Sequence, residues 1–214
     1  MSKKLFLLGK KVGMTQIFDE EGNVIPVTVL KIEDGVVTQI KSVDTDGYNA
    51  VQMAFEKVKS DKLNKPDAGV FLKNKLDTYR IKKELRIDDV SEYKVGDVVS
   101  VKDAEIGKSV DVVGTTIGKG FQGVVKRWNF QGGPKTRGQK DKWRAPGSIG
   151  NASYPGRVWK GMKMAGRMGG KRKTIQGLKI VGKDDEKNLL YIKGSVPGAK
   201  GSILVIKESV KVKG

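Results

Sequence analysis

Neither cysteine nor histidine occurs anywhere in the 214 residues. The first absence excludes disulfide scaffolds, thiol catalysis and cysteine-ligated metals. The second removes the commonest general base and metal ligand, and with them every Ser-His triad. Most hydrolase and metalloenzyme chemistries end there, so no catalytic, cofactor-binding or metal-binding residue is expected. Long apolar runs are missing as well. Lys3 and Lys4 precede only Leu5, Phe6, Leu7 and Leu8 before Gly9, Lys10 and Lys11. A signal peptide needs an apolar stretch of roughly 7–15 residues, and a membrane span roughly 18 or more. The expectation is a cytoplasmic protein without a membrane partner, in which the Asn151-Ala152-Ser153 glycosylation triplet is silent.

Other scarcities are local. Residues 112–175 hold no leucine and a single acid, Asp141, against 15 lysines and arginines. The same stretch carries 14 of the 28 glycines and all three tryptophans. Between Gln131 and Lys173 the only branched aliphatic residues are Ile149 and Val158. Such a segment cannot bury enough apolar surface to offset the entropy of ordering its backbone. It is expected to be disordered, or ordered by something external.

Residues 1–111, by contrast, balance 19 basic against 19 acidic side chains, and residues 176–214 hold eight against four. Most of the net charge of +18 therefore sits in the middle of the chain. A concentration of this kind points to a polyanionic partner. The length suits one domain, or one domain with a smaller appendage.

The flanks have a different texture. Val12–Phe18, Val24–Ile32, Val36–Ile40, Val51–Phe55, Asp97–Val101 and Val110–Ile117 are short, β-branched and bounded by turn signals such as Glu21-Gly22-Asn23 and Asp34-Gly35. Thr174–Val181, Asn188–Lys193 and Ile203–Lys207 continue the series, with Val196-Pro197-Gly198 turning between the last two. Pro26 suggests an edge or a bulge. Regular short strands predict a mainly β fold, a small antiparallel β-barrel. One helix is expected near Pro66–Leu76, within a small α+β insertion around residues 58–86. The expected organisation is a barrel body over residues 1–117 and 174–214, interrupted by a long basic extended loop over residues 118–173.

Two glycine motifs invite nucleotide-binding interpretations. Gly118-Lys119-Gly120-Phe121-Gln122-Gly123 spells G-x-G-x-x-G, and Asp141 stands near the offset of a ribose-binding acid. A dinucleotide site requires a helix to start there and offer its amide dipole. Val124-Val125 are instead expected to continue as strand, and Gly132-Gly133-Pro134 forbid a long helix. Gly166-Arg167-Met168-Gly169-Gly170-Lys171 is one residue short of a P-loop, and Arg172 stands where Ser or Thr is needed.

The stronger pattern interleaves aromatic with basic residues. It runs Lys126-Arg127-Trp128-Asn129-Phe130, then Lys142-Trp143-Arg144, then Tyr154-Pro155-Gly156-Arg157-Val158-Trp159-Lys160. Cationic groups neutralise phosphates, while aromatic and guanidinium planes stack on unpaired bases. A solvated linker would seldom carry tryptophan, and three exposed indoles without a partner would invite aggregation. RNA is favoured over DNA because no continuous basic helix is available for a major groove. A membrane-surface helix is ruled out by the missing leucine and the glycine content. The expected RNA-contact residues are Lys119, Lys126, Arg127, Trp128, Lys135, Arg137, Lys142, Trp143, Arg144, Arg157, Trp159, Lys160, Lys163, Arg167, Lys171, Arg172 and Lys173, with Lys10 and Lys11 beside them.

Five segments taken in order resemble a known family. They are Gly9-Lys10-Lys11-Val12-Gly13-Met14-Thr15, Gly118–Arg127, Arg144–Gly150, Gly161–Gly169 and Gly194-Ser195-Val196-Pro197-Gly198. Together they resemble the universal large-subunit ribosomal protein numbered three, in its bacterial form, over essentially the whole chain. The resemblance implies a translation-protein-like barrel and a non-enzymatic constituent of the large subunit. It implies binding to 23S rRNA, especially its 3′ domain, and a part in nucleating early assembly. It also implies an arm directed towards the peptidyl-transferase centre, and neighbours among the large-subunit proteins numbered fourteen and nineteen, with thirteen and seventeen close by.

The chain departs from that pattern in two places. Asn151 stands where many bacterial relatives carry a methylated glutamine, so this position is expected to be unmodified. Arg137 and Trp143 stand where relatives often have histidine. The rival functions are a free RNA chaperone or translation factor on a similar barrel, and a nucleotide-dependent enzyme using Gly118–Gly123.

Overall fold

The computed structural model describes residues 4–211. The chain falls into two compact units, one comprising residues up to Thr115 together with those from Arg172 onward, the other Thr116–Lys171. In chain order the strands are β1 Phe6–Phe18, β2 Val24–Glu33, β3 Gly35–Lys41, β4 Ala50–Lys57, β5 Tyr79–Arg86, β6 Val98–Val99, β7 Ser109–Thr115, β8 Phe121–Gln122, β9 Gly166–Arg167, β10 Arg172–Asp184, β11 Leu189–Lys193 and β12 Ile203–Glu208. The helices are α1 Val43–Asp46, α2 Lys65–Lys73 and α3 Val124–Trp128.

Six strands of the first unit close a barrel in the order β1-β12-β7-β10-β11-β2. Every neighbouring pair is antiparallel. Alternation drives the closure: Leu204 and Ile206 on β12, Leu190 and Ile192 on β11, and Leu30 and Ile32 on β2 point inward and are buried. Closure also pairs the strand edges that an open sheet would leave unsatisfied. Register shifts between Lys11 and Gly13, Ile175 and Leu178, and Ile180 and Gly182 supply the bends. The buried Asp111 carboxylate on β7 accepts the N–H groups of Gly177 at 3.0 Å and Val210 at 3.5 Å. It thereby satisfies one backbone donor freed where β10 bulges and another just beyond β12. Gly114 of β7 stands opposite Leu204 of β12, and a Cβ there would displace the end of the buried Leu204 side chain.

A second sheet in the same unit has the order β5-β4-β3-β6. Helix α2 follows Asn64 with Pro66 in its first turn, where a missing N–H costs nothing. It buries Phe71, whose ring centroid lies 5.9 Å from that of Tyr79. The Asn74 amide then donates to the Thr38 carbonyl at 2.7 Å, fixing the helix end to β3.

Three expectations are corrected. Strand β1 starts at Phe6 rather than Val12, and its first residues Phe6, Leu7 and Leu8 are buried in the core. Strand β5 was not delimited within the expected insertion: its charges hide a period of two in which Ile81 and Leu85 pair with Phe55 and Val51. Val124-Val125 are helical, not extended. β9 is only two residues long, so no strand remains for them to pair with, and their backbone turns to local bonds instead. Arg127 N–H donates to the Gly123 carbonyl and Asn129 N–H to that of Val125, both at 3.0 Å.

Candidate nucleic-acid interface

Within the unit Thr116–Lys171, backbone hydrogen bonds join the two ends of the segment. Thr116 N–H donates to the Lys171 carbonyl at 2.9 Å, Gly170 N–H to that of Thr116 at 3.0 Å, and Lys119 N–H to that of Met168 at 2.8 Å. Phe121 and Gln122 of β8 then pair with Arg167 and Gly166 of β9. Gly169 has φ +74°, and a Cβ there would overlap the Ile117 carbonyl oxygen. The ladder thus depends on glycine for both its turn and its close approach.

Above this ladder the bracing becomes cationic and aromatic. The five-residue α3 ends at Asn129, whose φ of 61° and ψ of 36° close the turn. The Arg127 guanidinium and the Trp128 indole both donate to the Met164 carbonyl, each at 2.8 Å. The Trp128 ring also lies 5.0 Å from the Arg127 guanidinium and 5.8 Å from the Lys163 ammonium, close enough for cation–π attraction. Farther along, Gly133 N–H donates to the Trp143 carbonyl at 2.8 Å. This contact shapes a cleft of about 540 Å³ whose walls include Phe130, Gln139, Lys142 and Pro146. Val124 is the only buried residue of the unit. Hydrogen bonds and glycine turns hold it, not an apolar core.

The cations expected to meet RNA take up distinct settings. Lys119, Lys126, Lys135, Arg137, Lys142, Arg144, Arg157, Lys160, Lys163, Arg167 and Lys171 are exposed. None of them forms an ion pair among the described residues. Trp143 and Trp159 are 48% and 53% exposed, and the Arg157 guanidinium sits 5.2 Å from the Trp159 ring. Arg127 and Trp128 brace the unit as described.

The remaining four lie in the barrel unit. Arg172 and Lys173 are exposed on β10, opposite Thr115 and Gly114. Lys10 is 3.5 Å from the Glu56 carboxylate. The Lys11 ammonium donates to the Val196 and Gly198 carbonyls at 3.1 and 3.0 Å, tying β1 to the loop before β12. Lys10 and Lys11 are thus engaged within the barrel.

Two exposed aromatic residues lie outside the expected contact set, although Tyr154 opens one of the aromatic–basic runs and Phe121 stands in the first glycine motif. Phe121 is 77% exposed and Tyr154 is 83% exposed, the largest values among the exposed apolar side chains of the described residues. Their signal was present: both stand among glycines and bases, as Trp143 and Trp159 do. No cluster of three or more acidic residues suited to a metal occurs among the described residues. No helix there is long and apolar enough to cross a membrane.

An exposed set of unpaired cations and open indoles, held on a hydrogen-bonded scaffold, is chemistry for contacting a polyanion with unpaired bases. The family described as "Ribosomal protein L3" matches residues 81–188. A "Large ribosomal subunit protein uL3" from Herpetosiphon aurantiacus is 50% identical over 205 residues, covering 96% of this chain and 96% of its own length. Its namesake from Syntrophus aciditrophicus is 46% identical over 208 residues, covering 97% of this chain and 95% of the relative. That from Photobacterium profundum is 51% identical over 205 residues, covering 96% and 98%. With the barrel, the glycine-braced arm and this similarity extending over nearly the whole chain, the protein belongs to the ribosomal protein L3 family.

Proposed function

We propose that the protein is a structural, non-enzymatic constituent of the large ribosomal subunit in the cytoplasm, and that it binds 23S rRNA. The single observation that carries this is the state of the cations in Thr116–Lys171. All but Arg127 are exposed, none forms an ion pair among the described residues, and one acid, Asp141, accompanies them. Positive charges gathered in this way repel one another until a polyanion neutralises them. The relatives named above support the choice of a ribosomal RNA over other polyanions.

In finer terms, the arm contacts the 3′ domain of the rRNA and extends towards the peptidyl-transferase centre. The barrel neighbours the large-subunit proteins numbered fourteen and nineteen, with thirteen and seventeen nearby. Binding occurs early and nucleates assembly, and Asn151 stays unmodified. The test is sedimentation of the tagged chain with large subunits washed in high salt. One copy per subunit retained through the wash is expected. Release in the wash, with transient binding to many RNAs, would instead make it a free RNA chaperone.

A further inference from the structure

We propose that the outer part of the β1–β2 hairpin docks a basic protein surface that presents apolar side chains. The sequence already sets this segment apart. Residues 12–30 contain no lysine or arginine and carry Asp19, Glu20 and Glu21, in a chain of net charge +18. The structure shows what that segment builds. β12 pairs with β1 only over Phe6–Lys10, and β11 pairs with β2 only over Val27–Lys31. Beyond those limits Met14–Phe18 and Val24–Pro26 form ladder pairs with β1 or β2 alone, leaving a two-stranded ribbon. A ribbon of this kind is marginal in water without further packing.

Its two faces differ. Ile17 and Ile25 are half-buried on one side. On the other side the register places Phe18 opposite Val24 and Gln16 opposite Pro26, with Met14 on the same face. Met14, Phe18 and Val24 are 53%, 66% and 54% exposed. Contiguous exposed apolar surface, with an aromatic residue and a methionine in it, is the composition of a protein interface.

The turn decides the partner. Glu20 N–H donates to the Asp19 side chain at 2.9 Å and the Asn23 amide to that of Glu21 at 3.1 Å. None of the three carboxylates forms an ion pair among the described residues. Three unpaired acids repel phosphates and attract lysine and arginine. The ribbon therefore faces protein, where the arm faces RNA.

Two experiments test this separately from the RNA-binding proposal. In the first, Phe18 is replaced by photoreactive benzoylphenylalanine and purified large subunits containing the chain are irradiated. A crosslink to a basic protein is expected; a crosslink to rRNA, or none, overturns the proposal. The second does not depend on ribosome membership. The free full-length chain is titrated with an alternating Lys/Leu peptide, and separately with polyuridylate, while the Met14 methyl and Phe18 ring signals are followed by NMR. The peptide is expected to shift both, and the triple variant Asp19→Lys, Glu20→Lys, Glu21→Lys to weaken it about tenfold. Shifts produced by the RNA, or an unchanged affinity in the variant, overturn the proposal.

Discussion

The Trp128 indole N–H donates to the Met164 carbonyl at 2.8 Å, closing the arm across 36 residues of chain. The same oxygen accepts the Arg127 guanidinium, and its two lone pairs accommodate both donors. This ring is a brace before it is a stacking surface, unlike those of Trp143 and Trp159.

Trp128→Phe keeps the ring and its cation–π neighbours but removes the indole donor. A hydrogen bond of this kind contributes about 0.5–1.5 kcal/mol. Trypsin cleavage at Lys163 and Arg167 in the free protein is expected to quicken about two- to tenfold, because local opening controls access. The Tm of the barrel should stay within about a degree of the parent. Unchanged cleavage would mean that the bond does not hold the arm closed in solution.

Salt dependence measures how many of the arm cations meet phosphate. If about 6–10 phosphates are neutralised, log K for rRNA should fall against log salt with a slope of roughly −4 to −9. Filter binding across a salt series gives the slope directly. A value near −1 would leave most of the exposed cations without a phosphate.

The barrel was largely legible because its strands are β-branched runs with turns between them, and burial on one face selects that period. The near-absence of a core in Thr116–Lys171 was legible from composition, since a stretch without leucine and rich in glycine has little apolar surface to bury. Residues whose role depends on distant backbone were not. Lys11 looks like any surface lysine, yet its acceptors lie 185 and 187 residues away. Val124-Val125 have strand propensity, but propensity yields when no partner strand exists. The ribbon's exposed face could be read as a strand from its alternation, although only the register shows that β11 and β12 leave its end uncovered.

Acid should weaken the four-stranded sheet through Glu84. The Glu84 carboxylate accepts the Lys41 ammonium at 2.8 Å and the Tyr48 hydroxyl at 3.0 Å. The Lys41 hydrogen bond leads the causes that hold its pKa below the ordinary carboxylate value, with partial burial opposing them. A lowered folded-state pKa stabilises above the unfolded value of about 4.3 and ceases to do so as pH falls through the folded one. Glu84→Gln is therefore expected to lower Tm by about one to two degrees at pH 7, and to make no difference once the parent carboxylate is protonated in the folded protein. Thermal melts of both proteins across that range check the sign. A deficit that grows towards low pH would contradict it.

Trp143 and Trp159 should act on RNA and not on folding. Each ring is about half exposed, and the described contacts of Trp159 are with the Arg157 guanidinium, a group that itself faces solvent. Stacking a base on such a ring contributes roughly 1–3 kcal/mol, whereas emptying a buried tryptophan site costs about 3–5 kcal/mol of stability. Trp143→Ala and Trp159→Ala are each expected to weaken binding to an rRNA fragment about 5- to 150-fold, while the Tm of the free protein moves by no more than about a degree. The pair should be nearly additive if the two rings hold different bases, because Trp143 and Trp159 have no described contact with each other. A drop of many degrees in the free protein would place the rings in a core that the exposures of 48% and 53% deny. An unchanged affinity with an unchanged Tm would leave the phosphate contacts as the whole of the arm's grip on RNA.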